Sequence, residues 1–241
     1  MFRNSIICLL MMCCFVLLSS AQNEWVYELS GGFSLHNNGW GGGLERRVSL
    51  KNHSVITELD FTTYRHGKEV NIVNQNARNP RTYVFGKLNH VGIFRLQRGV
   101  EKHLTDFGDR EHVHLGVSLL AGAGLAVLKP VYLDVYYPGS SNDGLVLPER
   151  YNPSKHTNQA DILGYSARKY GWDELTAKPV IQMKGSMNLY WGGVTSTEKM
   201  MKAGAVVSWF PAGIPIMAFT QNSEVGIAFF LSFYFSREME M

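Results

Sequence analysis

A chain of 241 residues with a formal net charge of +3 has room for one barrel or one to two globular domains, and its charge is too near neutral to argue for nucleic acid. With 24 glycines, 12% aromatic and 18% charged residues, the composition is not that of a helical membrane protein. It does fit a membrane barrel, in which half of each strand faces a polar or small-residue lumen. Alternation within segments, rather than mean hydropathy, therefore decides the fold class.

The first element is an export signal. A short polar lead carries Arg3, the apolar run Ile6–Leu18 follows, and Ser19, Ser20 and Ala21 precede Gln22. The run is shorter than the ~20 residues a membrane-spanning helix needs, so we expect cleavage after Ala21 rather than a retained anchor. Residues 1–21 are then signal peptide and 22–241 the barrel. All three cysteines, Cys8, Cys13 and Cys14, lie in the signal. Met11-Met12-Cys13-Cys14 lacks the leucine and small residues that precede a lipid-modified cysteine. The mature chain is thus expected to be exported without disulfides or thiolate chemistry.

Strands with period-two alternation follow at 25–36, 39–50, 55–64, 82–97, 113–127, 179–191, 201–210 and 225–236. The last is the clearest. Val225, Ile227, Phe229, Leu231, Phe233 and Phe235 share one face, and Gly226, Ala228, Ser232 and Ser236 lie on the other. Segment 179–191 sets Ile181, Met183, Met187 and Leu189 against Gln182, Lys184, Ser186 and Asn188. Segment 82–97 sets Val84, Leu88, Phe94 and Leu96 against Lys87, Asn89, Arg95 and Gln97. Segment 113–127 mimics a membrane helix, but its glycines weaken a helix and its large residues keep period two. Arg46 breaks the pattern and is expected near an interface, where it can snorkel. A ninth strand is possible at Ile214–Thr220. The expected fold is all-β: a closed antiparallel up-and-down transmembrane barrel of about eight (8–10) strands.

If strand one rises from the periplasm, the outer connections are 37–38, 65–81, 129–178 and 211–222, and the inner turns 51–54, 98–111 and 192–200. Long loops outside and both ends inside is the bacterial arrangement. Aromatics then form two girdles, with Trp25, Tyr27, Trp191, Phe233 and Phe235 at the inner rim and Trp40, Tyr64, Tyr83 and Trp209 at the outer. A soluble lipocalin-like barrel would instead turn its apolar residues inward and carry a charge-rich exterior.

Several groups are candidates for function. Glu45, Arg47, Glu58, Asp60, Lys87 and Arg95 fall on lumen faces, where opposite charges should pair into a plug; the alternative is a narrow ion or small-solute path. His112 and His114 share a face at i and i+2, with His103, Asp106 and Asp109 nearby, but a zinc site needs a third or fourth ligand in place. They are weak candidates, and no metal or cofactor is expected. A lipid-modifying enzyme would need a serine, a histidine and an acid at the lipid boundary. His90 lies on an apolar face, Ser118 and Ser186 point the other way, and no Gly-x-Ser-x-Gly elbow exists. The outer loop of about 138–177 carries Tyr165, Arg168, Tyr170 and Trp172, residue types that anchor interfaces, and its 160–170 stretch reads as a short helix; the loop is expected to be either an ordered lid over the barrel mouth or a partner-binding surface.

The Ser-Ser-Ala-Gln signal end, Tyr83-Val-Phe-Gly-Lys-Leu-Asn89, Lys129-Pro-Val-Tyr-Leu-Asp134, Ile214-Pro-Ile-Met-Ala218 and the aromatic last strand resemble small outer-membrane β-barrel proteins of Bacteroidetes-type bacteria. The resemblance implies fold and location, with no catalytic residues attached. One departure is Ser236-Arg-Glu-Met-Glu-Met241 beyond the last aromatic, so the barrel-assembly machinery would have to read an internal signal. We therefore expect an integral outer-membrane barrel with a structural or interaction role and no enzyme activity. Its expected partners are outer-membrane lipid, the assembly machinery and a protein at the outer loops, with no nucleic acid among them.

Overall fold

The computed structural model describes residues 27–50, 53–75, 81–105, 113–138, 144–191 and 197–239. The export signal with its cysteines, Trp25, Asp106, Asp109 and His112 lie outside the described residues.

Eight strands close a barrel: β1 (Tyr27–His36), β2 (Gly39–Ser49), β3 (His53–Tyr64), β6 (Asn89–His103), β7 (His114–Pro130), β11 (Thr176–Trp191), β12 (Thr197–Trp209) and β13 (Val225–Met239). Every neighbouring pair is antiparallel, and the seam is β1 on β13, in register from Tyr27↔Met239 to His36↔Phe230. Tyr27 and Met239, the first and last described residues, therefore lie at one end of the barrel, called here the terminus end; the other is the cap end.

Five shorter strands stand outside the wall. β4 (Asn71–Val73) pairs with β5 (Thr82–Val84), and β8 (Tyr132–Tyr137) lies between β9 (Leu145–Arg150) and β10 (Ile162–Tyr165). They form a cap whose core is Tyr83, Val131, Leu133, Val135, Tyr151 and Ile162. A second apolar cluster closes the barrel mouth. Val91, Ile93, Leu128 and Phe210 of the wall meet Val84, Ile214, Ile216 and Met217 of the loops. Asn222 fixes the 214–217 turn by accepting from the Ile216 and Met217 N–H groups and donating to the Met217 carbonyl. Ile214–Thr220 is thus a loop rather than a ninth wall strand, joined to the Lys87 turn by a single bridge, Lys87↔Met217.

The eight-strand closure agrees with the alternation, and several boundaries differ. The 82–97 segment is two elements, because Gly86 at φ 81 turns the chain between β5 and β6. β6 runs on to His103, so the following turn is shorter than 98–111. β13 runs on to Met239, so Ser236–Met239 continue the strand along β1. The 160–170 stretch is a 3-10 turn (Gln159–Asp161) and then β10, without a longer helix.

The wall is apolar outside and polar inside. Leu44, Leu59, Phe94, Leu119, Met183 and Phe229 are exposed outward, each more than half or close to half accessible. Ser30, Glu45, Glu58, Arg95, Gln97, Lys184 and Lys202 are buried inward at 0–3% exposure. A soluble barrel would show the reverse. Of the expected girdles, Trp40, Trp209 and Phe235 do face outward, and Phe233 stacks on Phe33 at 5.4 Å. Tyr64 instead lies on the inward face and packs edge-on to Phe210 at 5.7 Å, and Tyr83 is buried in the cap core.

Leu59 lies in register between Leu44 and Leu96, in the middle of the outward apolar face. In a bilayer, Leu59→Arg is expected to destabilise the folded barrel by about 2–4 kcal/mol. Urea titration of the barrel refolded in liposomes, followed by the heat-modifiable gel shift, measures this.

Candidate functional site

The lumen is filled by clusters of paired charges and hydrogen bonds stacked along its axis. Towards the cap end, Arg95 on β6 donates from Nε and one terminal nitrogen to both Asp60 carboxylate oxygens on β3, at 2.9 and 2.8 Å. The same guanidinium reaches Thr62 and Gln182, and Gln182 in turn contacts Gln97 at 3.2 Å and Ser208 at 3.1 Å. At mid-height, Lys184 on β11 donates to both Glu58 oxygens at 2.7 and 3.0 Å, while the Tyr234 hydroxyl donates to Glu58 at 2.8 Å. Lys202 on β12 pairs with Glu45 on β2. Towards the terminus end, Arg47 meets Glu45 and Glu28 at 2.9 Å each and Glu101 at 3.4 Å, and also donates to the Tyr190 hydroxyl. Asn188 links Glu101 to the Ser118–Ser186 pair.

The sequence explains why these long side chains fit. The inward face of β7 carries Gly116, Ser118, Gly122 and Gly124. A Cβ on Gly116 would lie 2.2 Å from a Glu101 carboxylate oxygen, so Glu101 occupies the volume a larger residue would need. Charges removed from water this completely persist only when paired, and among the described residues each of the nine charged groups named above has an opposite partner.

Of the six charges expected in the lumen, Glu45, Arg47, Glu58, Asp60 and Arg95 meet there. Lys87 does not. Because Gly86 turns the chain, Lys87 lies at the barrel mouth and pairs with Glu69 of the β3–β4 loop. Lys184, Lys202, Glu101, Tyr190 and Tyr234 complete the network and were not singled out. Lys184 was readable from its period-two face, whereas Glu101 lies beyond the strand end expected at 97.

His114 is buried at the terminus end of the lumen, and no group of three metal-ligating side chains occurs among the described residues. The serine–histidine chemistry has no geometry here. Ser118 and Ser186 bond to each other inside the lumen, while His90 faces outward and packs on Tyr165 at 5.4 Å. They stand on opposite sides of the wall.

In the cap loop, the four expected interface residues separate. Tyr165 is not a surface anchor: it packs between the two apolar clusters, accepts from the Val84 N–H at 3.2 Å, and burial pushes its phenol up to about 12. Trp172 is 62% exposed, with the Lys129 ammonium 4.5 Å above its ring. Tyr170 stacks on Tyr132 at 5.7 Å, and Arg168 holds Lys129 through its carbonyl at 2.6 Å. Arg168, Tyr170 and Trp172 therefore share one basic–aromatic surface outside the wall. The free edge of β9 is blunted by Pro148. Tyr151 donates to Val131, so alternation turns the missing N–H of Pro148 away from β8.

No protein-family model and no curated protein sequence matches the chain. Among solved structures it is similar to Neisserial surface protein A, at 8% identity and TM-score 0.41, over 91% of this chain and 100% of that one. Ail, the attachment invasion locus protein of Yersinia pestis, is similar at 11% identity and TM-score 0.38, over 89% and 99%. The N-terminal β-barrel domain of Pseudomonas aeruginosa OprF is similar at 10% and 0.35, over 90% and 100%. At these values the likeness carries nothing about activity.

Two expectations follow. Lys184→Ala leaves Glu58 buried without its cation and should destabilise the barrel by about 3–5 kcal/mol, whereas the double variant Glu58→Met with Lys184→Met should recover most of that loss. Denaturant midpoints of the wild type and these two variants provide the check. In the cap, hydrogen bonds from Lys155 and Tyr137 hold the Glu149 carboxyl down to about 2. Because that carboxyl is lowered, its contribution is complete above about pH 4.5 and disappears as pH falls towards 2. Trypsin cleavage after Arg150 and Lys155 should therefore be faster in Glu149→Gln at pH 7.

Proposed function

We propose that the chain is an integral outer-membrane protein whose barrel is a closed, charge-plugged support for an ordered outer cap, with an interaction role and no catalytic one. The cleaved signal and the likeness to Bacteroidetes-type barrels belong to this reading. The carrying observation is the lumen. Paired charges fill it from Arg95 to Arg47, and the Ile214–Met217 loop lays an apolar cluster over its mouth. An apolar outward face with aromatic ends is what a bilayer selects, and a plugged interior leaves no axial path for a solute.

Interaction then falls to the cap. Trp172, Tyr170 and Arg168, with Lys129, offer exposed aromatic rings beside cations, the composition that anchors interfaces. Their target is a protein or a saccharide-bearing surface outside the cell.

Fractionation with a heat-modifiable band in the outer membrane is the expected localisation, and recovery in the soluble periplasm would end the reading. In planar bilayers, the protein should give no stable single-channel current. Steady conductance that disappears when Glu58 or Asp60 is neutralised would replace the plug by a pore.

A further inference from the structure

The wall is incomplete at one place. The β1–β2 hairpin turns at Asn37–Asn38, level with Phe229, while β13 continues four residues further to Val225 with β12 on one side only. Phe229 gives its N–H and carbonyl to Asn37 on the β1 side, so alternation aims the N–H and carbonyl of Ile227 the same way, above the hairpin. Val225 is satisfied locally by the Ser223 hydroxyl, but Ile227 has no strand partner on that side among the described residues. On the far side the gap is bounded by Arg65–Glu69 of the β3–β4 loop.

A cavity of about 840 Å³ occupies this gap, within the range that holds small ligands. Its lining includes Leu35, which faces outward, and Gly226, which faces inward. A single cavity is thus lined by residues of both faces of the wall. Tyr64 borders it. It projects inward from β3, and a Cβ on Gly226 would meet its hydroxyl at 2.4 Å, so the glycine lets this side chain reach β13.

We propose that this gap is a lateral binding site for an anionic amphiphile, an acyl chain bearing one negatively charged head group, entering from the surrounding membrane with Tyr64 as its inner latch. The inference rests on the outer-membrane reading above. Charge selects the head group. Lys87 is neutralised by Glu69, whereas Arg65, an exposed residue of the lining, has no ion-pair partner among the described residues, leaving the lining net positive. The apolar share fits a chain: Trp40, Leu35, Tyr64, Ile214 and Ile216 form its floor and back. The unpaired edge at Ile227 lies where a head group, rather than hydrocarbon, is needed to satisfy it.

The test uses the full chain purified in dodecyl maltoside, with the fluorescent fatty acid cis-parinarate as probe. We expect one saturable site per barrel, displaced by dodecyl phosphate and not by inorganic phosphate at the same concentration. Arg65→Ala should weaken the probe about tenfold, the loss of one charge-assisted contact. Ile214→Trp, which fills the cavity from the mouth loop, should remove the site while the heat-modifiable band persists. Unchanged affinity in Arg65→Ala, displacement by inorganic phosphate alone, or no saturable binding by a heat-modifiable protein would each overturn the proposal. Loss of the heat-modifiable band in the wild type would overturn the membrane reading instead.

Discussion

The structure depends on closure. A strand inside a bilayer has no water to satisfy its N–H and carbonyl groups, so each edge must find another edge. Here the first and last wall strands supply it, β1 and β13 pairing from Tyr27↔Met239 to His36↔Phe230. Once the sheet is closed, the two faces of every strand acquire fixed solvents. Outward residues must suit hydrocarbon, and inward ones must fill a lumen only wide enough for side chains. The exposed Leu59 and Phe229 and the buried Glu58 and Lys184 are two consequences of the same geometry.

A polar lumen that excludes water raises a second demand, that of pairing. Glu58 is completely buried, and so are Glu45, Glu101 and Lys202. Left alone, any of them would cost several kcal/mol. The network answers by linking strands that are not neighbours in the wall. Lys184 of β11 reaches Glu58 of β3, and Arg47 of β2 reaches Glu101 of β6 and Tyr190 of β11. Such cross-lumen bonds fix the cross-section of the barrel, which the ladder hydrogen bonds alone do not. They also explain the glycines of β7, whose missing side chains make room for Glu101 and its neighbours.

The wall was largely legible in the sequence because period two is a direct image of two solvents. The Val225–Phe235 alternation and the Gln182–Asn188 face both reappear as outward and inward sets. Legibility failed where a turn preserved parity. Val84, Leu88, Lys87 and Asn89 alternate correctly on paper, yet Gly86 bends the chain between them and puts Lys87 at the mouth. It failed again where charge faces outward. Arg98 and Lys102 resemble a turn, but they are the exposed end of β6 near the terminus end. Tyr64 was assigned to a girdle by residue type, although its spacing from Asp60 and Thr62 already placed it on the inward face. An ordered lid was among the readings of the long loop, but the strands of the cap were not legible, since strands of three to six residues carry too few positions to show a period.

Together these constraints limit where the molecule can act. Paired charges occupy the lumen, and the Ile216–Met217 cluster lies over its mouth. The terminus end offers no cap of its own among the described residues. What remains accessible is the outside of the cap and the one place where closure is incomplete, above the β1–β2 hairpin. That interruption follows from strand length, because a hairpin turning at Asn37 cannot cover a β13 that begins at Val225. A barrel that needed only to be inert would gain by extending the hairpin and covering Ile227. Keeping it short, with Tyr64 laid across the opening and Arg65 unpaired beside it, makes the wall rather than the lumen the place where a ligand can bind.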